Sequence, residues 1–163
     1  MNILNLEKKV VKWVDVENLY VGGDAFLING CPEGYKFKKL KNHKYWEFIG
    51  EMVSNPEKDI EDFLYYKDKT ESFNWWVGAP FTKEEAHYTT EKTLKLLESI
   101  KNDGYSTENS EEFFFNKKGL PDGAVTALEY KDKIIIISGY HRSSIALVLG
   151  IKRIPIILFK RIK

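Results

Sequence analysis

The stretch "KIIIISGYHRSSIALVLGIKRIPIILFK", residues 133–160, decides how this chain folds. Its opening run of four isoleucines is β-branched and apolar, and reads as a buried strand. Gly139 then permits a sharp turn. After the polar heptad Ser138–Ser144, the segment SIALVLG (144–150) reads as a short apolar helix ended by Gly150. IKRIPIILFK (151–160) returns to strand composition. Strand, turn, helix and strand in succession point to a small α/β (α+β) domain built on a mixed sheet.

Upstream of this stretch, AVTALEY (124–130) and KIIIIS (133–138) are separated only by Lys131-Asp132, which predicts a hairpin without the usual turn glycine. Thr82 and Glu85 have capping-box spacing, so a helix is expected to begin there. Leu94, Leu97 and Ile100 share one face of its continuation, and Asn102-Asp103-Gly104 supplies a stop. KVVKWVDVENLYV (9–21) reads as one strand, and Phe26–Ile28 as a short one within a glycine-rich loop over 22–42. Helices are predicted over 43–54, before Pro56, and over 57–67, with Ile60, Phe63 and Leu64 on one face of the second. A loop is expected over 106–119.

Residues 43–81 are crowded with aromatic side chains and read as a helical insertion with a small core of its own. A lid or platform is the functional alternative, with Trp75 and Trp76 as candidates for stacking on a base. The composition, 43% hydrophobic and 30% charged, is that of one globular domain over residues 1–163. A net charge of +1 gives no global field for nucleic acid or membrane. Cys31 is the single cysteine, which excludes an internal disulfide. With no apolar run of spanning length, the expected location is the cytoplasm. The sequence does not indicate an oligomeric state.

The heptad carries the chemistry. A strand, a glycine turn and a helix start present backbone N–H groups to an anion. Of 25 basic residues only Arg142, Arg153 and Arg161 are arginine. A guanidinium at the helix entrance suits bidentate phosphate binding. Ser138, Gly139, Tyr140, His141, Arg142, Ser143 and Ser144 are therefore the candidate phosphate-binding residues, and none of them is acidic.

LESIKNDG (97–104) followed by SGYHRSSIALVLGIKRIPI (138–156) resembles the two boxes of the ParB N-terminal/sulfiredoxin-like superfamily. Ser99-Ile100 and Gly104 match the first box; Gly139, Arg142, Ala146, Leu149-Gly150 and Ile154-Pro155 match the second. The resemblance covers about residues 90–160. It implies a Gly-x-x-Arg helix start that binds nucleotide phosphates, with ATP or CTP and Mg2+ as cofactors. Sulfiredoxins place a reactive cysteine, and partition proteins a glutamate, where Tyr140 stands. The serine-kinase relatives carry an acid where Ser138 stands. Phosphoryl transfer needs a carboxylate to hold metal or activate the acceptor, so Asp15 and Glu17 are the catalytic candidates, with Asp122 a further one. The expected partner is thus a nucleotide or another phosphorylated small molecule. The function is nucleotide binding, extending to a phosphotransferase or nucleotide hydrolase. A non-catalytic interaction module and a DNA-associated regulator related to partition proteins are the alternatives. The basic residues at 152–153 and 160–163 read as solvated strand flanks, so nucleic acid is the less favoured partner.

Overall fold

The computed structural model describes residues 6–22, 36–74, 78–105, 114–115, 121–122 and 125–161. A six-stranded mixed sheet is formed by β1 (Leu6–Asp15), β2 (Leu19–Val21), β3 (Lys38–Lys39), β6 (Thr126–Tyr130), β7 (Lys133–Ser138) and β8 (Arg153–Arg161). Their order is β1-β8-β6-β7-β2-β3, and a separate two-residue pair joins β4 (Phe114–Phe115) to β5 (Pro121–Asp122). The β1–β8, β6–β7 and β2–β3 pairs are antiparallel, whereas β6–β8 and β2–β7 are parallel. With the helices α1 (Lys44–Ser54), α2 (Leu64–Glu71), α3 (Lys83–Asp103) and α4 (Tyr140–Val148), this is the α/β fold expected.

The isoleucine run is explained by the sheet having two covered faces. Successive strand residues point to opposite sides. Ile136, with Ile134 beside it, enters a core with Val14, Val16, Leu19, Ala127, Ala146 and Ile154. Ile135, with Ile137, packs on the other side against Leu128, Tyr20, Phe37 and Phe159. Strand β8 tolerates Pro155 because the β6 ladder alongside it begins later, with the Ile157 N–H donating to the Val125 carbonyl at 2.9 Å.

The hairpin forms as expected: Tyr130 pairs with Lys133, and Lys131 takes a positive φ of 54° in place of a glycine. The strand expected over 9–21 does not form as one. Asp15 ends β1, Val16–Asn18 make a 3-10 turn, and β2 pairs with β7 on the far side of β8 and β6. The break is fixed where the Val16 N–H donates to the Lys152 carbonyl at 3.0 Å. It also shows as a change of parity, because Val14 and Val16 are buried and then Leu19 and Val21.

In the helical layer, α1 agrees with expectation, but the second helix is displaced. Residues 60–62 form only a 3-10 turn, and α2 starts at Leu64, whose N–H is held by the Glu51 carboxylate at 2.9 Å. Phe63, Tyr65 and Tyr66 are buried, while Leu64 is 39% exposed. Thr82 and Glu85 exchange both bonds of a capping box, and α3 then runs unbroken for 21 residues. Gly104 ends it as the sequence indicates, with φ 79° and ψ 172°, a mirror-extended conformation rather than the left-handed helical one common at helix ends. The core of the 43–81 segment is not its own. Phe48, Ile49, Met52, Phe63 and Tyr65 share it with Leu97 and Ile100 of α3 and Ile145 of α4. Helix α4 therefore stands between two cores, with Ala146 facing the sheet and Ile145 the helices. The expected strand at Phe26–Ile28 lies outside the described residues, as does most of 106–119. Among the described residues, no helix is long and apolar enough to cross a membrane.

Candidate functional site

Strand β7 delivers the chain to Gly139, which adopts φ 91° and ψ 28° as the N-cap of α4. A Cβ at this position would stand 2.8 Å from the Val125 Cα and 2.9 Å from its Cγ2. Both the conformation and the closeness of the neighbouring backbone therefore demand glycine. The first helical bond runs from the Ser143 N–H to the Gly139 carbonyl at 3.0 Å. No side chain caps the helix. The N–H groups of His141 and Arg142 find no protein acceptor among the described residues.

The side chains of the heptad divide into two sets. Tyr140 turns inward: its hydroxyl donates to the Ile136 carbonyl at 2.9 Å, and its ring stacks on His43 with centroids 5.8 Å apart. His141 reaches the helical layer, with Nε2 2.7 Å from the Tyr65 hydroxyl. Its ring centroid is 5.0 Å from that of Tyr45. The buried Ser143 hydroxyl folds back on the Gly139 and Tyr140 carbonyls at 2.8 and 3.2 Å. Ser144 is fully buried, and its Oγ has no hydrogen-bond partner among the described residues. Sequence reasoning placed all these side chains at a phosphate, but the tertiary fold turns them into the protein. Facing outward are Ser138, which is exposed, and Arg142, which is partly exposed. No hydrogen bond or ion pair holds the Arg142 guanidinium among the described residues. It lies close enough to Tyr105 to favour the phenolate, yet burial dominates and pushes that phenol up to about 12.

Around His141 the aromatic segment builds a cluster that spacing alone did not reveal. Lys69 Nζ donates to the Tyr45 hydroxyl at 2.9 Å. It also lies over the rings of Tyr45, Tyr65 and Phe81, 5.2, 5.2 and 5.5 Å from their centroids. Burial, reinforced by the charges of Lys69 and Lys92, lowers the His141 pKa to about 4. Burial also raises the Tyr65 phenol well above its ordinary range, opposed by a hydrogen bond with Thr93. At neutral pH the imidazole is uncharged, and Nε2 shares a hydrogen bond with the Tyr65 hydroxyl whose direction follows the tautomer. His43 behaves alike: its Nδ1 accepts the Tyr45 N–H at 3.3 Å, and burial with Lys44 and Lys38 lowers its pKa to about 4.

Among the described residues, the candidate acids Asp15 and Glu17 make no bond to this turn. Asp15 is exposed at the end of β1, 3.7 Å from Arg153 Nε. Glu17 is exposed on the 3-10 turn that packs against α4. No hydrogen bond or ion pair links either to residues 138–144 among the described residues. Arg153, which also donates to the Trp13 carbonyl at 3.2 Å, serves the strand end. Asp122 lies in β5, and its side chain is outside the described residues, as are Trp75 and Trp76. Among the described residues, no three or more His, Cys, Asp or Glu side chains gather as a metal site.

Sequence reasoning also passed over a groove at the opposite end of the His43–Tyr140 stack. Its walls come from β3, the 3-10 turn at 40–42 and the first turn of α1, and its volume is about 550 Å³. The signal was present in KFKKLKNHKYW (36–46), which holds five lysines and no acid. Against known proteins the chain finds no match, whether family model, curated protein or solved structure.

Proposed function

We propose that this chain binds the phosphates of a nucleotide at the start of α4, on a fold related to the ParB N-terminal/sulfiredoxin-like proteins. The observation that supports this most is the uncapped helix start: Gly139 supplies no side-chain oxygen, and the His141 and Arg142 N–H groups lack protein acceptors among the described residues. These N–H groups and the helix dipole favour an anion. Arg142 adds a forked donor with no competing partner among the described residues, and Ser138 an exposed hydroxyl. Gly139 lies close against Val125 and His141 is tied to Tyr65, so the turn is held in place by contacts that precede any ligand.

The reading ends at binding. Metal-assisted phosphoryl transfer would require a carboxylate at this turn, and Asp15 is paired with Arg153 instead. Binding without turnover is the form of the reading this favours. Calorimetric titration with ATP, CTP and GTP in the presence of Mg2+, alongside a product assay, tests it. The wild type should bind at least one nucleotide, and Arg142→Ala should weaken that binding by roughly 10-fold or more, the worth of a charged hydrogen bond. Failure of the wild type to bind any of the three would overturn the proposal.

A further inference from the structure

The groove beside α1 is built by a turn that buries one side chain and frees its neighbours. Leu40 is 1% exposed and enters the core with Val14 and Val16. Its carbonyl accepts the His43 N–H at 3.0 Å, which closes the 3-10 turn, and α1 starts directly after it. Lys38, Lys41 and Lys44 are left exposed along the groove, with Asn42, half-buried His43 and the indole of Trp46, which is 44% exposed. Lys39 does not join them. It pairs with Tyr20 while Lys38 pairs with Val21, so its side chain takes the opposite face of the sheet and its ammonium lies 5.8 Å from the Tyr20 ring centroid. The lysines of the groove therefore serve one cavity.

Its charge is positive, with Glu47 the one acid on the wall. Lys44 donates to both oxygens of Asp68 at 3.0 Å and is partly neutralised. Lys38 and Lys41 have no acidic partner among the described residues. His43 is uncharged at neutral pH, because burial, then Lys44 and Lys38, lower its pKa to about 4. Its Nδ1 accepts the Tyr45 N–H, so the neutral ring carries its proton on Nε2, a donor with no protein acceptor among the described residues. A volume of about 550 Å³ is that of a small-ligand site. A phosphate, with a charge of about −1.5 to −2, matches two unpaired ammonium groups better than a single carboxylate does. An exposed indole beside them is a platform for a planar ring. We infer that this groove binds a small aromatic phosphate of the nucleoside monophosphate class, with its ring stacked on Trp46 and its phosphate held by Lys38 and Lys41. His43 also stacks on Tyr140, the first residue of α4, so the groove and the helix start are joined through one pair of rings. The inference rests on the groove's own lining, and variants of each surface tell it apart from the α4 reading.

Calorimetric titration of the full chain with AMP and CMP tests this inference, with ribose phosphate, adenosine and the carboxylate analogue of AMP as partial ligands. The wild type should bind at least one monophosphate, with an affinity that falls as salt rises. Ribose phosphate lacks the ring and adenosine lacks the charge, so each should bind about 10-fold or more weakly. The carboxylate analogue should fall between adenosine and AMP. Lys38→Gln/Lys41→Gln should weaken monophosphate binding by about 10-fold or more. Trp46→Ala should weaken it roughly 5- to 150-fold and leave ribose phosphate binding unchanged. Circular dichroism establishes that each variant is folded. The inference is overturned if neither monophosphate binds, if the groove variants bind as the wild type does, or if ribose phosphate or the carboxylate analogue binds as tightly as AMP. Arg142→Ala separates the two readings. Binding lost in Arg142→Ala but kept in the groove variants overturns this inference and leaves the α4 reading standing. Binding lost in the groove variants but kept in Arg142→Ala supports the groove alone. Loss in both sets upholds the inference and makes the two surfaces parts of one site.

Discussion

Gly139 is held by a positive φ of 91° and by the Val125 backbone 2.8 Å from where a Cβ would stand. The left-handed conformation costs a side chain about 1–2 kcal/mol and overpacking a further ~1–3. Gly139→Ala should therefore lower stability by about 2–5 kcal/mol in urea unfolding; a loss within about 0.5 kcal/mol would mean that the turn can open. Ser144 presents the reverse case. Its buried hydroxyl has no partner among the described residues, so Ser144→Ala removes an unsatisfied group and should raise stability by on the order of 1 kcal/mol. A measurable loss there would show that the hydroxyl is bonded. That Gly139 is a turn glycine was legible from its place between an apolar run and a polar one. The direction taken by His141 was not, because its partner Tyr65 lies 76 residues away.

Among the elements, α3 was legible at its start and α2 was not, for a common reason. The Thr82–Glu85 box satisfies the first N–H groups of α3 from within four residues, and that pattern stands in the sequence. The first N–H of α2 is satisfied by Glu51, from a different helix, and Glu51 also pairs with Lys58. Glu51→Ala should therefore cost about 1–2 kcal/mol, in the range of a lost helix cap, while Glu51→Gln, which keeps an acceptor, should recover part of it. Equal losses in thermal unfolding would remove the capping role. The strand expected over 9–21 divided in the same manner, since its break depends on the Lys152 carbonyl.

At the scale of the whole molecule, α4 links the two cores, and buried titratable groups around it give stability a defined pH window. His43 and His141 are both lowered to about 4, so between pH 6.5 and 4 the unfolded chain holds protons that the native one refuses. Stability is then fully present above pH 6.5 and declines as pH falls toward 4. Tyr65 and Tyr105 are raised, so stability also declines as pH rises above 10, where unfolded phenols ionise first. Urea midpoints should form a plateau from about pH 6.5 to 10, and His141→Gln should make the decline between pH 6.5 and 5 shallower. An unchanged decline in that variant would remove His141 as its source. The sequence by itself determined the α/β class, the hairpin, the capped α3 and the glycine turn, because each rests on periodicity or on contacts within a few residues. Only the tertiary structure decided that the isoleucine run divides between two faces and that the aromatic segment shares its core with α3 and α4. It alone turned His141, Ser143 and Ser144 inward and gathered Lys38, Lys41 and Lys44 around one groove. Those outcomes depend on partners distant along the chain, and local patterning carries no record of which distant groups will meet.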